Sequence, residues 1–131
     1  MPVNGVYKIL IVDDSVSIVT LIQQIFSRRP QFSTIVAYDA ETAITLIGLE
    51  DPDVVLLDLS LPQIDGIKAC RQIKKAHPLL PILVITGELG RFSSEQAHEA
   101  GADDFISKPF NNEQLVSHVK HYLHLTSLNV T

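Results

Sequence analysis

Short apolar runs in this sequence end on residues whose side chains suit phosphoryl chemistry. The residues concerned are Asp13 and Asp14 after residues 9–12, Asp58 after 54–57, Thr86 after 82–85, and Lys108 after 105–107. Ligands of an open parallel sheet bind outside the carboxyl ends of its strands, so we expect these residues to converge in space. The chemistry predicted there is the binding of a divalent cation and a phosphoryl group.

The three aspartates carry the cation part of this prediction. Taken alone, the pair Asp13 and Asp14 also fits a solvated turn or the N-cap of a following helix. Beside Asp58, however, three carboxylates repel one another unless a hard cation is present. Magnesium is typically held by one or two carboxylates together with phosphate oxygens and waters. We therefore predict a Mg²⁺ site.

Apolar runs alternate with helical patterns five times, which indicates a parallel sheet with helices on both faces. Strands are predicted near residues 7–12, 34–38, 54–57, 82–85 and 105–107. Asp39 is a predicted N-cap, Gly48 is expected to end the second helix, and the third helix runs to about Ala76. The fourth begins at Ser93 or Ser94 and ends at Gly101, and Asn111 or Asn112 caps the last.

The periodicity of the helices predicts which of their residues face the sheet. The inward positions expected are Ile18, Leu21, Ile22, Ile25 and Phe26 in the first helix, Ala43, Ile44 and Ile47 in the second, and Leu115, Val116, Val119, Tyr122 and Leu123 in the last. His118, His121 and His124 step by three along the last helix. Two zinc ligands on a helix more often lie four apart, so we predict a solvated face there.

Length, charge and cysteine content limit the function classes. With 131 residues, 46% of them hydrophobic, we expect one domain over 1–131. A net charge of -5 provides no basic field for nucleic acid, and no apolar run approaches the roughly 20 residues of a membrane span. No signal peptide is evident either, so we expect a cytoplasmic protein without direct nucleic-acid or membrane binding. Cys70, the lone cysteine, is predicted to be a partly buried structural thiol.

One longer motif adds specificity to these observations. The string from Asp58 to Gly66 (DLSLPQIDG), the step Lys108-Pro109, the acidic pair and the hydroxyl residue agree in type and in spacing with a known family. Over residues 7–125 the chain resembles the receiver domain of two-component response regulators. The resemblance implies a flavodoxin-like, doubly wound sheet of five parallel strands in the order 2-1-3-4-5, flanked by five helices. In the family the Lys-Pro bond is cis, an isomer that the sequence leaves open.

The resemblance also implies roles at the site. Asp58 is the expected phosphoacceptor, which takes a phosphoryl group from a phosphohistidine donor. Asp14 and Asp58, with the backbone carbonyl of Ser60, are expected to hold Mg²⁺, while Asp13 orients the water shell. Lys108 is expected to pair with Asp58 before transfer and with a phosphoryl oxygen afterwards; its other reading is an ordinary surface lysine.

Four residues are expected to control the response rather than the transfer. By the resemblance, the Thr86 hydroxyl moves to the phosphoryl group and Phe105 changes rotamer, which alters the surface formed by the fourth helix, the fifth strand and the fifth helix. Without the resemblance, Thr86 is a β-strand residue and Phe105 a core aromatic. Ser60 and Glu88 resemble the positions that tune hydrolysis of the phosphoaspartate, although both also fit exposed loop residues.

The function expected is a signalling switch with self-phosphorylation and autodephosphorylation only, not an enzyme acting on other substrates. The partners implied are a histidine kinase or histidine phosphotransfer protein, a downstream effector or output domain outside this chain, and a second copy in a homodimer. Two alternatives stay open. One is an adaptor that works without phosphorylation, and the other is a Mg²⁺-dependent phosphohydrolase. Such hydrolases commonly place a second aspartate two residues after the nucleophile, where this chain has Ser60.

Overall fold

A parallel sheet forms the centre of the computed structural model, which describes residues 5–59, 66–87 and 94–124. Within these ranges five strands pair in the order β2-β1-β3-β4-β5, and every pairing is parallel. The strands are β1 (Tyr7–Val12), β2 (Phe32–Ala37), β3 (Val54–Asp58), β4 (Ile82–Thr86) and β5 (Asp104–Ser107). The predicted strand order and doubly wound architecture are confirmed.

Helices cover both faces of this sheet. They are α1 (Val16–Ser27), α2 (Ala40–Glu50), α3 (Gly66–Ala76), α4 (Ser94–Glu99) and α5 (Asn112–Tyr122). One apolar cluster joins one face to α2, α3 and α4, and a second joins the other face to α1 and α5. Strand residues alternate between the clusters, because successive side chains of a strand point to opposite faces. Within the described residues no helix is both long and apolar enough to cross a membrane.

The central strands β3 and β4 are buried along their whole length. Strands covered by helices on both faces read as continuous apolar runs, which is why these two were the clearest in the sequence. Each of these strands ends on a polar residue that is also buried, Asp58 in β3 and Thr86 in β4. Polar groups with few solvent contacts thus lie at the carboxyl edge of an apolar sheet.

Side-chain caps begin several of the helices; Asp39 was predicted, and Asn111 was one of two candidates for the last helix. Asp39 accepts a hydrogen bond from the Thr42 backbone N–H over 2.7 Å, and Asn111 accepts one from the Glu113 N–H over 2.7 Å. The cap of α1 is Ser15, whose hydroxyl accepts from Ile18 N over 3.3 Å. Sequence reasoning did not assign this cap.

Three local predictions were wrong. Leu21 and Ile44 are 40% and 39% exposed. The buried stripes consist instead of Val19, Ile22, Ile25 and Phe26 in α1 and of Ala40, Ala43 and Ile47 in α2. The second helix also continues through Gly48 to Glu50 and ends at Asp51, whose φ of 48° lies in the left-handed region. A glycine inside a helix costs only about 1 kcal/mol relative to alanine, and Asp tolerates the left-handed conformation.

Candidate functional site

Three carboxylates meet at the carboxyl edge of the sheet. Asp13 and Asp14 follow β1, Asp58 ends β3, and one carboxylate oxygen from each lies within 4.8 Å of the others. Asp13 and Asp58 are 3% and 4% exposed, whereas Asp14 is exposed. The structure therefore brings together the three aspartates that were predicted to form the acidic cluster.

Asp58 is held at this edge by the backbone on both sides of it. Its partner across the ladder in β4 is Ile85, and the next residue, Leu59, is buried and donates its N–H to the Ile85 carbonyl over 3.4 Å. The Leu59 carbonyl accepts from Gly66 N over 3.0 Å. A Cβ on Gly66 would lie 2.3 Å from the Leu59 Cα, so only glycine permits α3 to begin against the residue that follows Asp58.

Asp13 is oriented by the loop that leads into α1. Its Oδ1 accepts from Ser15 N over 2.9 Å, and its own N–H donates to the Ala37 carbonyl over 3.1 Å. Ser15 in turn caps α1, so the N-terminus of that helix begins beside the carboxylates. The positive end of a helix dipole favours anions at such a place.

Lys108 supplies positive charge to the cluster. Its Nζ lies 3.5 Å from Asp13 Oδ2 and 3.9 Å from Asp58 Oδ1, and its side chain is 24% exposed. The Lys108 N–H donates to the Thr86 carbonyl over 2.9 Å, and the bond to Pro109 is cis. Asp13 and Asp58 contact this lysine and Asp14 completes the group of three carboxylates, so negative charge exceeds positive charge in the cluster, as suits a site for a divalent cation.

The two predicted switch residues lie on one face of the sheet. Thr86 is fully buried at the end of β4, and Phe105 in β5 is partly buried against the cluster that contains Val84. Val84 pairs with Phe105 and Thr86 with Ser107, so Thr86 and Phe105 share a face two positions apart along the ladder. Ser60 and Glu88 lie outside the described residues.

The donor set fits magnesium. The three grouped residues offer carboxylate oxygens, which are the ligands that hard cations prefer, and one of the three is exposed and open to solvent waters. A bound divalent cation would neutralise charge on a transferring phosphoryl group. The arrangement can thus combine a buried carboxylate nucleophile, a cation site and a lysine.

Cys70 and the histidines of α5 were not assigned to the site, and the structure keeps them apart from it. Cys70 is fully buried in the core, and burial raises the pKa of its thiol to about 11, so it is the structural thiol that was predicted. The predicted solvated face is only partly solvent-exposed at His118, whose side chain is 39% exposed and whose Nδ1 contacts Asp104 Oδ2. Periodicity did not reveal this contact, because Asp104 lies on another element.

A doubly wound sheet with an acidic cluster and a lysine at its carboxyl edge defines a class of phosphoryl-binding α/β domains. Within this class, a model of the response regulator receiver domain matches residues 9–120. The chain belongs to this family. It is therefore the receiver domain of a response regulator, a signalling switch of a two-component system.

Individual relatives agree. The chain is 40% identical over 113 residues to the alkaline phosphatase synthesis transcriptional regulatory protein PhoP of Bacillus subtilis, covering 86% of this chain and 47% of that protein. It thus spans about half the length of this relative. The crystal structure of the NtrX receiver domain from Brucella abortus is 36% identical, with a TM-score of 0.82 and coverage of 90% of this chain and 99% of that one.

A CheY-like receiver domain protein from Methanospirillum hungatei is similar in fold, with 29% identity, a TM-score of 0.83 and coverage of 91% and 94% of the two chains. Longer NtrX chains also match, but this chain covers only 27% of their length. Receiver domains of this family generally bind Mg²⁺ and exchange signals with histidine kinases and effector domains. The acidic cluster of this chain is able to hold such an ion.

Proposed function

We propose that Asp58 accepts a phosphoryl group from a phosphohistidine donor, and that the resulting aspartyl phosphate switches the surface formed by α4, β5 and α5. The observation that carries this proposal is the placement of Asp58. It is a nearly buried carboxylate at the carboxyl edge of the central strand, grouped with Asp13 and Asp14 and 3.9 Å from the Lys108 ammonium.

In the transfer step, a carboxylate oxygen of Asp58 forms a bond to phosphorus while the bond between phosphorus and the donor's imidazole nitrogen breaks. The electron pair of the broken bond returns to the imidazole. The Lys108 ammonium, already near the Asp58 carboxylate, then stabilises the negative charge that develops on a phosphoryl oxygen. Within the described residues Asp58 is buried and Asp14 is exposed, so Asp14 marks a side of the acidic cluster that faces solvent.

The proposed Mg²⁺ ligands are the carboxylates of Asp14 and Asp58 and the backbone carbonyl of Ser60, with Asp13 orienting metal-bound water. The grouped oxygens of the three aspartates support this assignment. Asp13 is well suited to an orienting role, because its two oxygens already engage Ser15 N and Lys108 Nζ.

The proposed response begins at Thr86, whose hydroxyl moves to the phosphoryl group, and continues at Phe105, which repacks in the space that Thr86 leaves. Their shared face of the sheet supports this order of events. Phe105 also lines a groove of about 580 Å³ between α4 and β5, so a change in its rotamer alters an exposed surface. Ser60 and Glu88 are proposed to tune hydrolysis of the phosphoaspartate.

The remaining assignments follow from the proposed chemistry. We propose that residues 1–131 form one receiver domain and that its partners are a histidine kinase or phosphotransfer protein and an effector or output domain. We also propose that the domain forms a homodimer through the α4-β5-α5 surface. The chain acts as a switch rather than as an enzyme on other substrates. We place it in the cytoplasm, where a free thiol such as Cys70 stays reduced.

Intact-mass measurement after incubation with Mg²⁺ and acetyl phosphate tests the phosphoacceptor. We expect one added phosphoryl group on the wild type and on Asp51→Asn, an exposed control at the other end of the sheet, and none on Asp58→Ala. An adduct on Asp58→Ala would overturn the assignment. No adduct on the wild type, despite rapid quenching and a beryllofluoride binding control, would favour the adaptor, and many turnovers per chain would favour the phosphohydrolase.

A further inference from the structure

Two side chains of α5 fasten this helix to the start of β5. His118 Nδ1 lies 2.5 Å from Asp104 Oδ2, and the Tyr122 hydroxyl donates to the Asp103 carbonyl over 2.7 Å. His118 and Tyr122 are four residues apart, so both contacts are made by the same face of α5. They hold α5 against the edge strand, next to the groove between α4 and β5.

The carboxylate of Asp104 joins this fastening to Phe105. While Oδ2 contacts His118, Oδ1 accepts the backbone N–H of Phe105 over 2.8 Å. A single carboxylate thus connects an imidazole on α5 with the main chain of the residue proposed to switch. A change in the contact between His118 and Asp104 therefore reaches the Phe105 backbone through the Asp104 side chain.

Imidazole is the side chain that changes charge between about pH 5 and 8. The protonated ring donates from Nδ1 and attracts the Asp104 carboxylate, whereas the neutral ring donates from Nδ1 in only one tautomer and carries no charge. The contact therefore strengthens as pH falls through this range. The side chains of His118 and Asp104 are 39% and 25% exposed, so protons reach the ring.

We propose that the His118–Asp104 contact is a proton-sensitive latch that holds α5 on β5 and sets the position of the Phe105 main chain. The latch is closed by protonation of His118 and loosened by its deprotonation. Its consequence for signalling rests on the proposed function, because Phe105 is the residue through which phosphorylation is read. Signalling through this surface would then depend on pH as well as on Asp58.

Charged or titratable groups also lie on α5 itself and on the elements that pack against α5 and β5. They are Glu95, His98 and Glu99 of α4, which line the groove; Asp103, bound at 2.8 Å by Lys74 of α3; Arg29 of α1 with Glu113 at the start of α5; and Lys120, His121 and Tyr122 of α5. Burial, and then the charges of Asp104 and Asp103, raises the pKa of Tyr122, which keeps its hydroxyl a donor across this range. His98 and His121 require controls.

The test is a pH titration of the free protein by NMR, observing the His118 ring and the Phe105 backbone amide. In the wild type we expect the Phe105 amide signal to shift with the same midpoint as the His118 ring. We expect the shift to be lost in Asp104→Asn, although His118 still titrates, and to be lost in His118→Arg, which keeps its charge. His98→Gln and His121→Gln should retain it.

A Phe105 signal that stays constant while His118 titrates would overturn the latch. So would a shift that survives in Asp104→Asn or disappears only in His98→Gln or His121→Gln. Because the free protein is titrated, this result does not depend on phosphorylation.

Adding beryllofluoride and Mg²⁺ at the two ends of the pH range then tests the consequence for signalling. We expect the shift that beryllofluoride induces at Phe105 to differ between these ends in the wild type and to be equal in His118→Arg. Equal shifts in the wild type would overturn the coupling. An absence of any beryllofluoride effect counts against the proposed function alone, since the free titration has already decided the latch.

Discussion

Carboxylates at the amino edge of the sheet are hydrogen-bonded to neighbouring strands, whereas those at the carboxyl edge are grouped with one another. At the amino edge, Asp53 precedes β3 and exchanges two hydrogen bonds with Lys8 of β1: its Oδ2 accepts the Lys8 N–H, and its own N–H donates to the Lys8 carbonyl, both over 2.8 Å. Asp103 repeats this pattern with Ile82 of β4, again with both distances at 2.8 Å. Each carboxylate clamps two neighbouring strands.

A lysine completes the Asp103 clamp at close range. Lys74 Nζ lies 2.8 Å from Asp103 Oδ2 and 2.8 Å from the Leu80 carbonyl, whereas Lys108 at the carboxyl edge lies 3.5 Å and 3.9 Å from Asp13 and Asp58. At the amino edge, the charged side chains are paired in hydrogen bonds that stabilise the fold. The carboxyl edge groups three carboxylates together, two of which contact one ammonium, a local departure from favourable electrostatics of the kind that marks functional sites.

The largest expected effect separates the two lysines. Lys108→Met should slow phosphorylation by acetyl phosphate about 100-fold, because one preorganised positive donor to the transition state is lost. Lys74→Met should leave this rate unchanged and lower the free energy of unfolding by about 1–3 kcal/mol, since Asp103 loses a charged partner. Rates from intact mass and urea unfolding of both variants check this. Equal effects of the two substitutions on rate would contradict the division between the edges.

The next two substitutions remove one carboxylate charge from each edge, and we expect them to change stability in opposite directions. Asp103→Asn should destabilise the protein by about 1–3 kcal/mol, because the charged bond to Lys74 is lost. Asp14→Asn should instead raise the melting temperature without Mg²⁺, since it relieves repulsion with Asp13 and Asp58.

Mg²⁺ should raise the melting temperature of the wild type, because it binds the folded state, and this gain should be lost in Asp14→Asn. Thermal unfolding with and without Mg²⁺ measures both effects, and exposed Asp51→Asn serves as the matched control. A fall in melting temperature for Asp14→Asn in Mg²⁺-free buffer would show that repulsion among the three carboxylates does not destabilise the folded protein.

The smallest effect comes from Cys70, near Lys74 and Asp103. Burial raises the pKa of its thiol from 9.0 to about 11. Above pH 9 the unfolded chain releases this proton while the folded chain keeps it, so the contribution is fully present below pH 9 and is lost as pH rises toward 11. Urea unfolding across this range should show a shallower decline for Cys70→Ala than for the wild type. Parallel declines would mean that the thiol is not linked to folding.

Local pattern was sufficient where burial is continuous or where a motif is contiguous. Val54 to Leu57 and Ile82 to Ile85 were assigned correctly, because strands buried on both faces leave uninterrupted apolar runs. Asp39 was recognised as a cap and Asn111 as one of two candidates, since a cap acts within three residues of itself. Leu21 and Ile44 were misassigned, because periodicity locates a stripe but not the width of the surface that covers it.

The sequence by itself determined the alternation of elements, the polar residues at the strand ends and, through the motif around Asp58, the family. Only the tertiary structure decided which charges meet. Asp53 and Lys8 are 45 positions apart, and Asp104 and His118 lie on different elements, so their contacts depend on strand register and helix docking. The same holds for Gly66, where a Cβ would lie 2.3 Å from the Leu59 Cα, a clash that depends on how α3 begins against the end of β3. Register and packing are set by the whole core, and no local stretch of sequence contains them.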